Sequence, residues 1–131
     1  VKYNSDKTEY NGIKIRYADK NLQKEIRSDY NLMIREGQQG KHIKGHNNYI
    51  EGRSYLTIGI EEAQELVNKY AGTGKINRTG KANKWKNTET IICDKVIGYD
   101  VSDIDASEVQ TRAFKIHYSK EKGTHIVPTR E

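Results

Sequence analysis

Between Asp19 and Arg35 the apolar residues Leu22, Ile26, Tyr30 and Met33 recur every three or four positions, the spacing of one helix face. Asp19 or Asn21 supplies a cap and Gly37 a stop, so this pattern predicts a helix running to about Arg35. Ile60, Ala63, Leu66, Val67 and Tyr70 form the cleanest amphipathic stripe, with Glu61 and Glu62 in its first turn and Lys69 in its last. Those charges suit the helix dipole. Further on the period shortens. Thr88 to Cys93, Lys95 to Val101, Arg112 to Ser119 and Thr124 to Val127 are short runs rich in Ile, Val, Thr and Tyr, and they predict strands. Asp103, Asp105, Ser107 and Glu108 make a turn between them.

The remaining segments lack a strong period. Tyr10, Ile13, Ile15 and Tyr17 nearly alternate, as a short strand or an ordered leader would. Gly37, Gly40, Gly45 and Gly52 punctuate a stretch read as loop. Ala71 to Asn83 is polar and Gly-rich, with Lys75, Arg78 and Lys81 in it and Lys84 just beyond; it reads as a solvated connector or a phosphate-contacting loop. Helices first and strands afterwards is an α+β order: N-terminal helices packed on an antiparallel sheet of about four strands. Residues 1–37 form a leader and helix, and residues 38–131 the core, within one compact domain.

Composition adds bounds rather than identity. With 34% hydrophobic and 31% charged residues, clustered apolar positions still favour a folded domain over disorder. The balance of 23 Lys+Arg against 18 Asp+Glu leaves net +5, which favours a polyanionic partner only weakly. Cys93 is the single cysteine, so no internal disulfide forms; beside Ile91 and Ile92 it reads as a small core residue. No apolar run approaches the roughly 20 residues of a membrane span. The chain opens Val1-Lys2-Tyr3 without a signal peptide or an initiating Met, as a segment of a longer protein would.

The chemistry concentrates in the four histidines. His42 and His46 lie in Gly40-Lys-His-Ile-Lys-Gly-His-Asn-Asn-Tyr49, followed by Gly52-Arg53-Ser54-Tyr55. His117 and His125 lie in the last hairpin. Alternation along that hairpin puts Phe114, Ile116 and Tyr118 on one face and Lys115, His117 and Ser119 on the other. Histidine both takes and gives protons near neutrality. Two His clusters flanked by Lys and Arg are therefore what metal-free cleavage of RNA requires. The i, i+4 spacing of His42 and His46 would suit a metal on a helix, but the glycines argue against a helix and no carboxylate or cysteine completes a zinc set. A Walker loop, a dinucleotide fingerprint and a Gly-x-Ser-x-Gly elbow are all absent from the sequence. A binding module without chemistry, and a metal-dependent DNA endonuclease built on His42 and His46, stand as the alternatives.

These blocks, with Glu62-Ala-Gln-Glu-Leu-Val67, Tyr70-Ala-Gly-Thr-Gly74 and Phe114-Lys-Ile-His-Tyr-Ser119 through Thr124-His-Ile-Val-Pro128, resemble the bacterial polymorphic toxin type fifty domain over roughly residues 38–128. Lys44 stands where that pattern has Pro, and residues 104–110 depart from it. The resemblance implies a metal-independent ribonuclease with a fold similar to barnase, EndoU, the tRNA-cutting colicins and RelE. It implies an RNA substrate, with tRNA among the candidates, and no cofactor or metal. It implies delivery within a larger toxin, action as a monomer in the target-cell cytoplasm, and an immunity protein in the producer. A binding module for nucleic acid or a phage capsid partner is the non-catalytic alternative. His42, Arg53 and His117 fall in matching blocks as the principal catalytic candidates, with Lys115 and Ser119 next. Lys41, His46, Tyr49, Arg112, Tyr118, Thr124 and His125 are the candidate substrate contacts.

Overall fold

The Asp19 carboxylate accepts the Leu22 amide at 2.8 Å and starts helix α1, Lys20–Asp29. The helix stops one turn earlier than its apolar spacing predicts. Met33, the last residue of that pattern, is two-thirds exposed. The backbone beyond Tyr30 is extended and finds other partners: Thr124 N–H donates to Met33 O and Arg35 N–H to Thr124 O, both at 2.8 Å. A tertiary ladder has replaced the last helical turn. Gly37, expected as a stop, lies inside a short helix α2, Glu36–Gln39, which runs into a 3-10 turn at Gly40–His42. The first histidine segment is thus partly helical rather than loop throughout. Helix α3, Ile60–Tyr70, matches its stripe, burying Ala63, Leu66 and Val67.

The computed structural model describes residues 9–10, 13–78 and 85–131. Gly80, Lys81 and Lys84 of the expected connector lie outside them. The main sheet has six strands, against the expected four. They are β1 Glu9–Tyr10, β2 Ile13–Tyr17, β4 Lys75–Arg78, β5 Trp85–Ile92, β8 Ala113–His117 and β9 His125–Thr129, neighbours in that order and antiparallel throughout. β4 occupies what the sequence presents as a connector. Its single buried apolar residue, Ile76, is too little for a period to register.

Three further strands, β3 Tyr55–Leu56, β6 Gly98–Val101 and β7 Glu108–Thr111, make a second antiparallel sheet. Glu108, expected in a turn, opens β7, and at Arg112 the chain leaves this sheet for β8. Thr111 Oγ1 donates to Thr129 O at 2.6 Å, and Arg130 Nε to Asp100 Oδ2 at 2.6 Å, holding the second sheet to β9.

The two faces of the main sheet differ. Ile91, Phe114, Ile116 and Ile126 face inward against Ile26 and Tyr30 of α1 and Ala63, Leu66 and Val67 of α3. Each such fully buried side chain stabilises by roughly 1.5–3 kcal/mol. Residues directly opposite across a ladder share a face. The pairings Thr88↔His117↔His125 and Thr90↔Lys115↔Val127 therefore line the outer side. Among the charged residues, Glu89 lies on the inner face in the middle of the core. Its carboxylate is wholly buried and accepts Gly72 N at 2.9 Å, Gly74 N at 2.6 Å and the Tyr118 hydroxyl at 2.5 Å. Those bonds pin the α3–β4 turn to the sheet.

Candidate active site

His117 and His125 are a directly opposed cross-strand pair, brought together by the β8–β9 turn. Gly123 in that turn has φ +98°, and a Cβ there would come within 2.8 Å of the Met33 carbonyl, so glycine fits where other residues would not. The two imidazoles stack with centroids 4.7 Å apart and planes 7° from parallel. His42 continues the row beyond the sheet edge, 6.2 Å from His125 and 9° from parallel. Three of the four histidines, 83 positions apart in sequence at the extremes, thus form one line of stacked rings.

Gln39 puts His42 there. Its side-chain amide is fully buried and engages β9 as another strand would: Nε2 donates to Ile126 O and Oε1 accepts Ile126 N–H, each at 2.8 Å. The 3-10 turn that follows carries His42 to the side of His125. His42 is 7% exposed, and its Nδ1 lies 2.8 Å from Ser54 O. A carbonyl only accepts, so Nδ1 carries the hydrogen and Nε2 of the neutral ring is left with its lone pair.

All three rings sit below the ordinary histidine pKa. Burial is the main cause in each. Arg53 and Lys41 add to it at His42, and Lys115 at His117. His125, between the other two rings and near Lys41 and Arg35, is pushed down to about 3. The row is neutral at pH 7 inside a rim of four cations: Arg35, Lys41, Arg53 and Lys115. An anion entering the site meets positive charge on several sides and rings able to give or take protons. Beside His42 an open groove of about 830 Å³ runs past Arg53 and Ser54 over Val127, with Glu51, Asp103 and Asp105 also in its wall, so the positive charge is on the side of the histidine row.

The other candidates are placed elsewhere. His46 is not paired with His42. Its Nδ1 accepts the Asn48 amide at 3.0 Å, its Nε2 faces Glu36 at 3.4 Å, and its ring lies so close over Gly40 that a Cβ there would meet it at 2.2 Å. Both nitrogens are engaged, and His46 fastens the turn. Parallel rings direct their in-plane lone pairs side by side rather than at one point, and among the described residues no group of three or more His, Cys, Asp or Glu is arranged to hold a metal. Tyr118 is buried on the core face with its hydroxyl on Glu89. Thr124 is fully buried, its hydroxyl donating to Asn31 O at 2.7 Å. Arg112 begins the far end of β8, roughly 16 Å along the strand from His117, and its guanidinium is held by Glu131 at 2.6 Å. Tyr49 turns to the second sheet, edge-on to Tyr55. Ser119 Oγ accepts Lys122 N–H at 2.9 Å and caps the β8–β9 turn. These five make scaffold contacts instead of lining the row. Sequence reasoning missed Arg35 and Gln39, which sit in an ordinary polar stretch and become visible only once the chain is folded onto β9.

A small α+β domain with a histidine row and a cationic rim on the edge of its sheet is the class these features define. The chain belongs to the bacterial toxin 50 family, whose model matches residues 34–128. That span takes in every residue of the row and its rim, from Arg35 to His125. No curated protein matches the chain. Among the described residues no helix is long and apolar enough to cross a membrane.

Proposed function

We propose that this toxin domain is a metal-independent endoribonuclease that cleaves by internal transesterification. The observation that carries the reading is the His42–His125–His117 row within its rim of cations. Two proton-transfer groups on either side of a phosphate are what cleavage of a phosphodiester by its own 2′-hydroxyl needs, and His42 and His117 stand at the two ends of this row with His125 between them.

His42 is the base. Its Nε2, bare because Nδ1–H is held by Ser54, takes the 2′-hydroxyl proton as the 2′ oxygen bonds to phosphorus. His117 in its protonated form is the acid, giving its proton to the 5′ oxygen as the P–O5′ bond breaks. The products are a 2′,3′-cyclic phosphate and a 5′-hydroxyl. Each transfer contributes typically about 10² to 10⁴-fold. Arg53 and Lys115 stabilise the charge that gathers on the nonbridging oxygens, and His125 between the two rings donates a hydrogen bond to one of them. Anionic substrate offsets the neighbouring cations and favours the imidazolium form of His117. The helices packed on an antiparallel sheet are in keeping with the barnase, EndoU, colicin and RelE group. As a toxin domain it would be delivered within a larger protein, act as a monomer on RNA (tRNA among the candidates) in the recipient's cytoplasm, and be held in check by an immunity protein in the producer.

Incubating the purified domain with total RNA, tRNA and plasmid DNA, with and without EDTA, tests this. Cleavage of RNA in EDTA, leaving cyclic phosphate ends, is expected. Loss of cleavage in EDTA, or cutting of DNA, which has no 2′-hydroxyl, would overturn the mechanism. Retention of RNA without cleavage, weakening steeply with salt, would make it a binding module instead.

A further inference from the structure

The outer face of the main sheet continues away from the histidines in a way the cleavage chemistry does not use. One transverse row across it is Thr88, His117 and His125, extended on β4 by Asn77, whose Nδ2 donates to Thr88 Oγ1 at 2.6 Å. The next row, one pleat further along the strands, is Tyr17, Lys75, Thr90, Lys115 and Val127, one residue from each of five successive strands. Lys75 and Lys115 flank Thr90 in that row, and among the described residues neither is in an ion pair. Beyond it, at the end of the sheet, lies a cavity of about 440 Å³ walled by Tyr17, Lys75, Thr90 and Ile92, and by Tyr70 and Ile91 from the α3 side. Arg130 and Glu131 are also in its wall, held in ion pairs with Asp100 and Arg112.

Two of those wall residues expose apolar surface: Tyr17 is 42% and Ile92 55% exposed. At about 3.4 Å per residue, Thr90 and Ile92 lie roughly 7 and 14 Å along β5 from the Thr88–His117 pair. That separation is the reach of about two nucleotides of extended single strand. Positive charge lies along the way and an aromatic face at the end, the pairing by which single-stranded nucleic acid is held.

We propose that this cavity seats one base of the RNA chain about two nucleotides from the cut, with Tyr17 stacking on the base, Ile92 packing beside it, and Lys75 holding the phosphate that leads to it from the Lys115 end of the row. The inference rests on the ribonuclease reading and adds a binding subsite to it. The site takes a nucleobase because any base offers a flat π face to Tyr17, while the Thr90 hydroxyl in the cavity wall offers its edge a hydrogen-bond partner.

The experiment compares kcat/KM for an RNA dinucleoside monophosphate with that for oligomers extended by one, two and three nucleotides on either side. In the wild type, extension by two nucleotides on one side is expected to raise kcat/KM about tenfold or more, and a third to add little. That ratio of long to short substrate should fall about five- to a hundredfold in Tyr17→Ala and Lys75→Gln, the range of a lost base stack. It should be kept in Tyr17→Phe, which retains the ring, and in Lys95→Gln, which removes one positive charge elsewhere. Tyr17→Phe and Lys75→Gln keep the test open if Tyr17→Ala fails to fold. Wild-type cleavage with no dependence on length, or an unchanged ratio in Lys75→Gln and Tyr17→Ala, would overturn the subsite while leaving the ribonuclease standing. Cleavage of neither short nor long RNA would overturn both.

Discussion

His42 and His46 illustrate how much a side chain's neighbours decide. Both lie in one glycine-rich segment, yet His42 is protonated on Nδ1 by its bond to Ser54 O, whereas His46 accepts an amide at that same atom. Only the first leaves Nε2 free to act as a base. Asparagine places an N–H close to where imidazole Nδ1 sits, so His42→Asn should retain the bond to Ser54 and lose the base. We expect His42→Asn and His117→Asn each to reduce RNA cleavage by at least about 10²-fold with a melting temperature near that of the wild type, read by gel assay and thermal unfolding. The pH profile follows from the same neighbours. The base limb belongs to His42 and the acid limb to His117, and burial lowers both below 6.5. Activity is lost on the acid side as His42 takes a proton and on the alkaline side as His117 loses one. The optimum of kcat/KM should therefore fall below pH 6.5; an optimum above 7.5 would contradict the assignment.

At the scale of the element, the row exists because α2 is fastened to the free edge of β9. Gln39 closes that edge with one donor and one acceptor, both buried. Gln39→Ala leaves the Ile126 N–H and C=O without partners, each worth about 1–3 kcal/mol when buried and unsatisfied. We expect a loss of about 2–4 kcal/mol in urea unfolding, and a fall in cleavage larger than the loss of folded protein explains, because His42 loses its position. The second clasp, between Thr124 and the Met33–Arg35 segment, acts two residues before Ile126 at the same end of the strand. It also accounts for the short α1: backbone groups that would have closed a last helical turn bond to Thr124 instead. Helices α1 and α3 were legible because their apolar faces repeat over ten or eleven residues. Strands β4 and β7 were not, being four residues long with one buried side chain each among the described residues, Ile76 and Thr111.

For the whole molecule, holding three neutral imidazoles together has a consequence for stability. The unfolded chain titrates these rings near 6.5, while the folded chain resists protonation, with His125 lowered to about 3. The unfolded state therefore binds more protons below pH 6.5, and stability falls as the pH drops from there toward 3. Between pH 7.5 and 4.5, above the range where most carboxylates titrate, the urea midpoint should decline steadily. His125→Gln should flatten that decline. A midpoint flat over this interval in the wild type would argue against a buried neutral row.

A local period of 3.6 or 2 is enough to specify the amphipathic helices, the inward-facing hairpin residues Phe114, Ile116 and Tyr118, and the presence of His117 and Lys115 on the opposite face. The sequence also singled out His42 and Arg53 as chemistry-bearing. Tertiary structure alone decided that His125, not His46, stands beside His42, and that Gln39 holds the two together. Strand pairing and edge closure join residues more than 80 positions apart, and no local period encodes which of them will meet.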